Sequence, residues 1–271
     1  MHTVLGLVKQ LPRTNCGACG QPTCLAFATQ VIKEGEDLAR CPYLPEALQE
    51  AIGSVRSQQE QKVGRRRESL AIALEALQDK VAPLPFREIA DGLGAVWGEE
   101  GGQEYLALTY FGQAVKVFKE GIKYPSGAEA NPWDAILLYN YLASQGKGLL
   151  AGKWVRLHEL PNSVSKAKTL AKLEKKLADT FQTKASILLE QGIHLGGEPV
   201  NLAGGATWQL VFRPLPRVPV LLQFWEAEPE DDFPAQAHFL FDALVLDYLD
   251  LESLIFVVEQ LVERLSKAVS C

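Results

Sequence analysis

The sequence predicts an α+β protein in which a small cysteine-loop and helix module is joined to a larger mixed α+β domain. Four of the five cysteines, Cys16, Cys19, Cys24 and Cys41, crowd near the N-terminus. A polar, glycine-containing stretch, QEAIGSVRSQQEQKVGRRRE, follows them. Beyond that stretch, strand-like and helix-like hydrophobic periods are interspersed without regular alternation, which argues against a doubly wound parallel sheet. The expected division is a module over 1–48, a linker or exposed helix over 49–68 and the α+β domain over 69–271.

Each element has its own signal. Val4, Leu7, Val8 and Leu11 follow helical spacing, and Pro12 closes that short amphipathic helix. NCGACGQPTC comes next, and Gly17, Gly20 and Pro22 within it exclude regular helix or strand. A helix resumes near Cys24, with Leu25, Ala28, Val31 and Ile32 expected as its apolar face and Gly35 as its C-cap. After the linker, a helix from about Glu68 to Lys80 is expected to point Leu70, Leu74 and Leu77 inward and to end before Pro83 and Pro85. Tyr105 to Phe111 and Ala114 to Phe118 read as a hairpin about Gly112, as do Trp208 to Phe212 and Val218 to Trp225 about a proline-rich turn. Asn131 before Pro132 marks an N-cap with proline in the first helical position, opening a helix through about Leu142. Leu170, Leu173, Leu177 and Phe181 mark another helix, and Phe239 to Leu265 is expected to supply one or two more.

Composition bounds the function. The 271 residues are 47% hydrophobic and 22% charged, as in globular proteins of one large or two smaller domains. With 27 basic and 33 acidic side chains the formal charge is −6, so the overall field gives no pull toward nucleic acid or an anionic membrane. The longest apolar stretches, Val218 to Trp225 and Leu254 to Val262, fall short of the roughly 20 residues that span a bilayer. The N-terminus lacks a charged start, a sustained apolar run and a small-residue cleavage site, so the expected location is the cytoplasm.

In a reducing compartment, clustered thiols point to a metal rather than to disulfides. The pattern is CxxCx4C, then sixteen residues, then Cys41 followed by Pro42. A helix from Cys24 to Ile32 would rise roughly 14 Å. The six steps from Gly35 to Cys41 span at most about 20 Å, so the fourth thiolate can return to the first three. Four thiolates suit a tetrahedral zinc ion or an iron–sulfur cluster. Structural zinc sites usually join two close pairs, whereas here a single CxxC and a third ligand share one loop. That spacing favours a cubane cluster and leaves zinc as the alternative. Glycines at 17 and 20, and the start of a helix near Cys24, are expected to aim backbone N–H groups at the sulfurs.

The residues LPRTNCGACGQPTCLAFATQVIKEGEDLARCPYL resemble a known [4Fe–4S] module. It occurs in the large subunit of the corrinoid iron–sulfur protein of the acetyl-CoA pathway and in the B subunit of the Rnf electron-transport complex. The resemblance covers about the first 45 residues and includes the four cysteines, Gly17, Gly20, Thr23, Phe27, Ala28, Gly35, Glu36 and Pro42. It implies that Cys16, Cys19, Cys24 and Cys41 are the cluster ligands. It also implies one-electron transfer in anaerobic metabolism, from a ferredoxin-like donor to a corrinoid or other redox acceptor. The rest of the chain is too short for the barrel and corrinoid domains of the first relative and lacks the extra ferredoxin cysteines of the second. Residues from about 70 onward resemble an uncharacterised prokaryotic domain that recurs behind this module, through WVRLHELPN, LLQFWEAEPEDDFPA and LFDALVLDYLDLES; that resemblance implies no activity. The rival reading is a scaffold or binding protein whose cluster or zinc ion only folds the module.

Other candidates have plainer explanations. Glu226, Glu228, Glu230, Asp231 and Asp232 match no cation loop and read as a solvated turn. Lys166, Lys168, Lys172, Lys175 and Lys176 read as a solvated helix face, with docking of an acidic carrier or a phosphate as the alternative. Arg65, Arg66 and Arg67 fall in the linker. His2, His158, His194 and His238 are scattered and are assigned no role, and Cys271 reads as a spare thiol. Gly196, Gly197, Gly204 and Gly205 form turns, since neither GxGxxG nor GxxxxGK[ST] occurs. Trp133, Trp154, Trp208 and Trp225 read as core rather than as a flat-cofactor pocket. No GxSxG or acid–base constellation marks an enzyme.

Overall fold

The computed structural model describes residues 4–31, 36–45, 48, 70–128, 130–228, 230 and 232–267. The chain divides into two compact units, Met1–Ile72 and Ala73–Cys271. The expected linker over 49–68, the glycine cap at Gly35 and the inward Ile32 lie outside the described residues.

In the first unit, helix α1 (Val4–Val8) packs against helix α2 (Cys24–Thr29). Leu7, Leu11, Phe27, Ala28, Val31, Leu38 and Leu48 close a small core with Cys19 and Cys41. The expected face of α2 needs one correction: Phe27, Ala28 and Val31 point inward, while Leu25 is 51% exposed. Helical spacing puts Leu25 beside Ala28, yet the small core is filled by Phe27, Ala28 and Val31 instead. A core this small, in a module near the size at which chains need a metal or disulfide to fold, leaves little stability of its own.

Most of a helical segment over 70–81 (α3) belongs to the second unit, and its Leu74 and Leu77 pack on the main core. Helix α4 (Phe86–Ile89) follows. Strands β1 (Val96–Glu100), β2 (Gln103–Tyr110), β3 (Gln113–Phe118) and β4 (Gly121–Lys123) form an antiparallel meander in chain order. Tyr110 pairs with Gln113 across the expected hairpin. Its two turn residues, Phe111 and Gly112, have φ of 45° and 77°, the signs that a type I′ turn requires.

Helix α5 (Pro132–Ala143) starts at the expected cap, where the Asn131 side chain accepts from the N–H groups of Trp133 and Asp134. Asp134 is buried and accepts from the Tyr110 hydroxyl at 2.6 Å, tying the helix start to the meander. Helices α6 (Val164–Phe181), α7 (Ala185–His194) and α8 (Leu251–Lys267) accompany a second antiparallel sheet. Its strands are β5 (Trp154–Arg156), β6 (Glu198–Pro199), β7 (Trp208–Leu215), β8 (Val218–Trp225) and β9 (Gln236–Asp242), ordered β5-β9-β8-β7-β6. The second expected hairpin is present as β7 and β8, with a register shift between Phe212 and Leu215 before the turn.

Strand β9 corrects the expectation of helix from Phe239 onward. Ala237, Phe239 and Phe241 are buried in alternation, and β9 pairs with both β5 and β8. Helix begins only at Leu251, where Leu254, Val257, Val258, Leu261 and Leu265 form the buried stripe. Helix α6 lies against β9 and α8 through Leu170, Leu177 and Phe181, and α7 lies against β7. The fold is α+β, with both sheets antiparallel.

Five tyrosines of this unit, Tyr110, Tyr124, Tyr139, Tyr141 and Tyr248, titrate above the ordinary phenol range, in each case chiefly because burial penalises the phenolate. Tyr124 is pushed up to about 12 from 10.0. The unfolded chain gives up these protons near pH 10 while the folded chain keeps them. The folded state therefore binds more protons, and this contribution to stability is complete below pH 10 and lost as pH rises toward the folded values. The denaturant midpoint of the second unit is expected to fall steadily through this alkaline range, with the tyrosinate absorbance of these five residues rising only as the unit unfolds. In a chain whose Tyr43 and Tyr105 are replaced by phenylalanine, tyrosinate appearing before unfolding would refute the assignment.

Candidate metal centre

The loop from Asn15 to Cys24 is pinned at both ends by local hydrogen bonds. Arg13 caps the end of α1, its Nε donating to the Val8 carbonyl at 3.2 Å and its Nη2 to the Lys9 carbonyl at 2.9 Å. Arg13 and Asn15 take φ of 56° and 49°, turning the chain away from the helix. The Asn15 side chain then reaches across the loop, its Oδ1 accepting from the Cys24 backbone N–H at 2.9 Å. Thr23 caps α2, its hydroxyl accepting from the Ala26 N–H at 3.0 Å. Between these pins the Gly20 N–H donates to the Gly17 carbonyl at 2.8 Å, a tight turn with positive φ at both glycines.

The return to the fourth cysteine uses a 3-10 turn over Leu38–Arg40, capped by the Asp37 side chain accepting from the Ala39 N–H. The Cys41 N–H donates to the Leu38 carbonyl, and Leu38 is buried, so the thiol arrives anchored to the small core.

Cys16, Cys19, Cys24 and Cys41 all carry free thiols. Cys19 and Cys41 are buried in the core of this unit, Cys24 packs against the same core half-buried, and Cys16 is exposed on the loop. The Cys16 thiol titrates below its ordinary value, first because the Ala18 N–H donates to it and second because of its hydrogen bond with the Thr14 side chain. The Gly20, Cys24 and Ala26 N–H groups are taken up by Gly17, Asn15 and Thr23, while the Ala18 N–H donates to the Cys16 sulfur.

By donor chemistry the set fits a soft metal centre: thiols alone, with Cys19, Cys24 and Cys41 bordering one small apolar core. Among the described residues no three His, Cys, Asp or Glu side chains lie close enough together to hold one metal ion. Asn15, Arg13 and Arg40 are contributors that sequence reasoning missed, because each acts on atoms several residues away.

The other candidates are dispersed. Glu226, Glu228, Glu230 and Asp232 lie in the connection between β8 and β9, closed by a bridge between Glu228 and Phe233; Asp231 lies outside the described residues. On α6, Lys166 pairs with Glu252 and Lys175 with Asp179. His158 and His194 are exposed, while His238 has its Nδ1 3.6 Å from Glu174 and its ring edge against Trp225. The glycines at 196, 204 and 205 take positive φ in turns. Trp133 stacks near Phe256 on the helical side, whereas Trp154, Trp208 and Trp225 stand on three different strands. His2, Arg65, Arg66, Arg67 and Cys271 lie outside the described residues. A cavity of about 760 Å³ is lined by Phe118, Ile122 and Tyr124 with Lys119, Lys123 and Glu104. Lys119 pairs with Glu104 and Lys123 with Glu100, and Glu120 also lines the cavity. No helix among the described residues is long and apolar enough to cross a membrane.

Comparison with known proteins divides the chain in the same two parts. Residues 11–43 match the family model described as "Putative Fe-S cluster", and residues 85–264 match that described as "Domain of unknown function (DUF3786)". The chain is 50% identical over 50 residues to the corrinoid/iron-sulfur protein large subunit of Moorella thermoacetica, covering 18% of this chain and 11% of that protein. It is 30% identical over 121 residues to the acetyl-CoA decarbonylase/synthase complex subunit gamma 1 of Methanosarcina thermophila, covering 44% of this chain and 21% of that one. The gamma subunit of Methanocaldococcus jannaschii is 40% identical over 42 residues, 16% of this chain and 9% of its own. The chain thus spans between about a tenth and a fifth of these relatives. No solved structure matches it at the same stringency.

Proposed function

Because the chain belongs to the DUF3786 family and carries an iron–sulfur type segment ahead of that domain, we propose that it is an iron–sulfur electron-transfer protein. In this reading Cys16, Cys19, Cys24 and Cys41 hold a [4Fe–4S] cluster. When bound, that group supplies reversible one-electron storage. The protein's own residues do the rest. Asn15 and Thr23 fix the loop ends, the Gly17–Gly20 turn lets the backbone pass close by, and the Ala18 N–H favours the Cys16 thiolate. Leu7, Phe27, Val31 and Leu38 exclude water behind Cys19 and Cys41. Such a protein would work in a reducing compartment such as the cytoplasm, taking electrons from a ferredoxin-like donor. The names of the relatives make a corrinoid protein or a subunit of an acetyl-CoA decarbonylase/synthase complex the first acceptors to try.

The observation that supports this reading is that Cys19, Cys24 and Cys41 border one small core while Cys16 stands exposed on the loop that carries Cys19; a cluster held by them would have one edge open to a partner. Anaerobic reconstitution with iron and sulfide tests the reading. The expected result is about four irons per chain and a paramagnetic signal after dithionite. A chain that instead retains one zinc ion and stays diamagnetic supports the scaffold reading, in which the metal only folds the module.

A further inference from the structure

We propose that Arg40, balanced by Glu36, sets the charge at the edge of the cluster and thereby its reduction potential; this rests on the reading that the four cysteines hold a [4Fe–4S] group. Arg40 immediately precedes Cys41, and its Nη1 donates to Glu36 Oε2 at 2.9 Å. Its other terminal nitrogen, Nη2, lies so close to the glycine turn that a Cβ added at Gly20 would stand 3.1 Å from it. The guanidinium therefore stands beside the glycine turn at Gly20, next in sequence to Cys19. One cation on the segment that returns Cys41 thus borders the loop that carries Cys16 and Cys19, and the Glu36 carboxylate holds it.

The arrangement has an electrostatic consequence. A cluster held by four thiolates is anionic, and each added electron makes it more so. A fixed cation beside it favours the reduced state, and a carboxylate at the same edge opposes that. Arginine keeps its charge at every working pH, so the cation is permanent. The side chains of Arg40 and Glu36 are 53% and 26% exposed, so added salt should weaken the influence of both. Removing Arg40 takes away the cation that balances Glu36, and removing the charge of Glu36 takes away the anion that balances Arg40. The two substitutions should move the potential in opposite directions.

Redox titration of the full-length, anaerobically reconstituted chain, followed by the reduced-cluster signal, tests this. In Arg40→Gln the ratio of reduced to oxidised cluster at a fixed potential is expected to fall about three- to tenfold, tenfold being 59 mV for one electron. In Glu36→Gln the same ratio should rise, and Arg40→Lys should recover most of the wild-type value. Both shifts should shrink in high salt. Iron content is measured on every variant. A merely structural role for the pair would lower iron content or displace both glutamine variants the same way, and either outcome overturns the proposal, as do unchanged midpoints. A wild-type chain that takes up no cluster overturns the electron-transfer reading and this inference with it. A loaded chain whose midpoint ignores both substitutions overturns only the role of Arg40.

Discussion

Replacing Cys19 by serine is expected to empty the metal centre and unfold the first unit, while leaving the second unit folded. Cys19 is 8% exposed and sits in the core with Phe27, Leu38 and Cys41. Serine at this position removes a ligand and leaves a hydroxyl in an apolar setting, which alone costs about 1–3 kcal/mol if no partner is found. The loss of the metal is larger. Structural zinc in small modules contributes about 10–16 kcal/mol of binding free energy that is also folding free energy, and four thiolates on a core this small place the module in that regime. Iron per chain should fall to background in Cys19→Ser, the cluster absorption should vanish, and amide exchange in α1 and α2 should lose its protection. The melting transition of the second unit should stay where it is. If the variant keeps wild-type iron and protection, Cys19 is not a ligand. The same variant separates the two functional readings, since partner binding by the second unit survives under the scaffold reading whereas redox turnover stops under the electron-transfer reading.

Phe241→Ala is expected to destabilise the second unit by about 3–5 kcal/mol, a large share of the roughly 5–15 kcal/mol that holds a typical domain. Phe241 is fully buried and lies on β9 opposite Val155 of β5 and Val220 of β8. Its ring thus stands where both neighbouring strands pair with β9, and truncation leaves a cavity that strands hydrogen-bonded on both sides cannot collapse to fill. Calorimetry on the full-length chain should show the second-unit transition at a markedly lower temperature, with iron content unchanged. A shift no larger than that of a surface substitution would mean that the ring is not packed as described.

The comparison of expectation with structure is instructive element by element. Asn131 and Pro132, the repeated leucines of α6 and the alternating runs about Gly112 were legible because each signal is local: a cap, a stripe, a turn. Strand β1 was missed although Gly101 and Gly102, both at positive φ, mark its hairpin to β2. With Gly98, Glu99 and Glu100 in five residues it carries little apolar signal, and it is largely exposed. Phe239 to Asp242 was misread because an apolar run with no strong breaker suits a buried helix as well as a buried strand. Pairing with β5 and β8 decided it. Leu25 was misplaced because the core it was expected to join is closed by Phe27, Ala28 and Val31 instead.

At the candidate metal centre the crowding of the four cysteines and the turn at Gly17 and Gly20 were legible from spacing. The supports were not. Asn15 bonding to Cys24 and Arg40 lying against Gly20 join atoms that the sequence sets well apart, and the Arg13 bonds to Val8 and Lys9, though local, have no motif that marks them.

The sequence by itself determined the two-part organisation, the α+β character and the candidate ligands, because these follow from residue type and near-neighbour spacing. Only the tertiary structure decided which strands pair, which apolar face turns inward and which charged groups border the cysteine loop. Those outcomes depend on contacts between segments far apart along the chain, where burial and hydrogen bonding outweigh local preference.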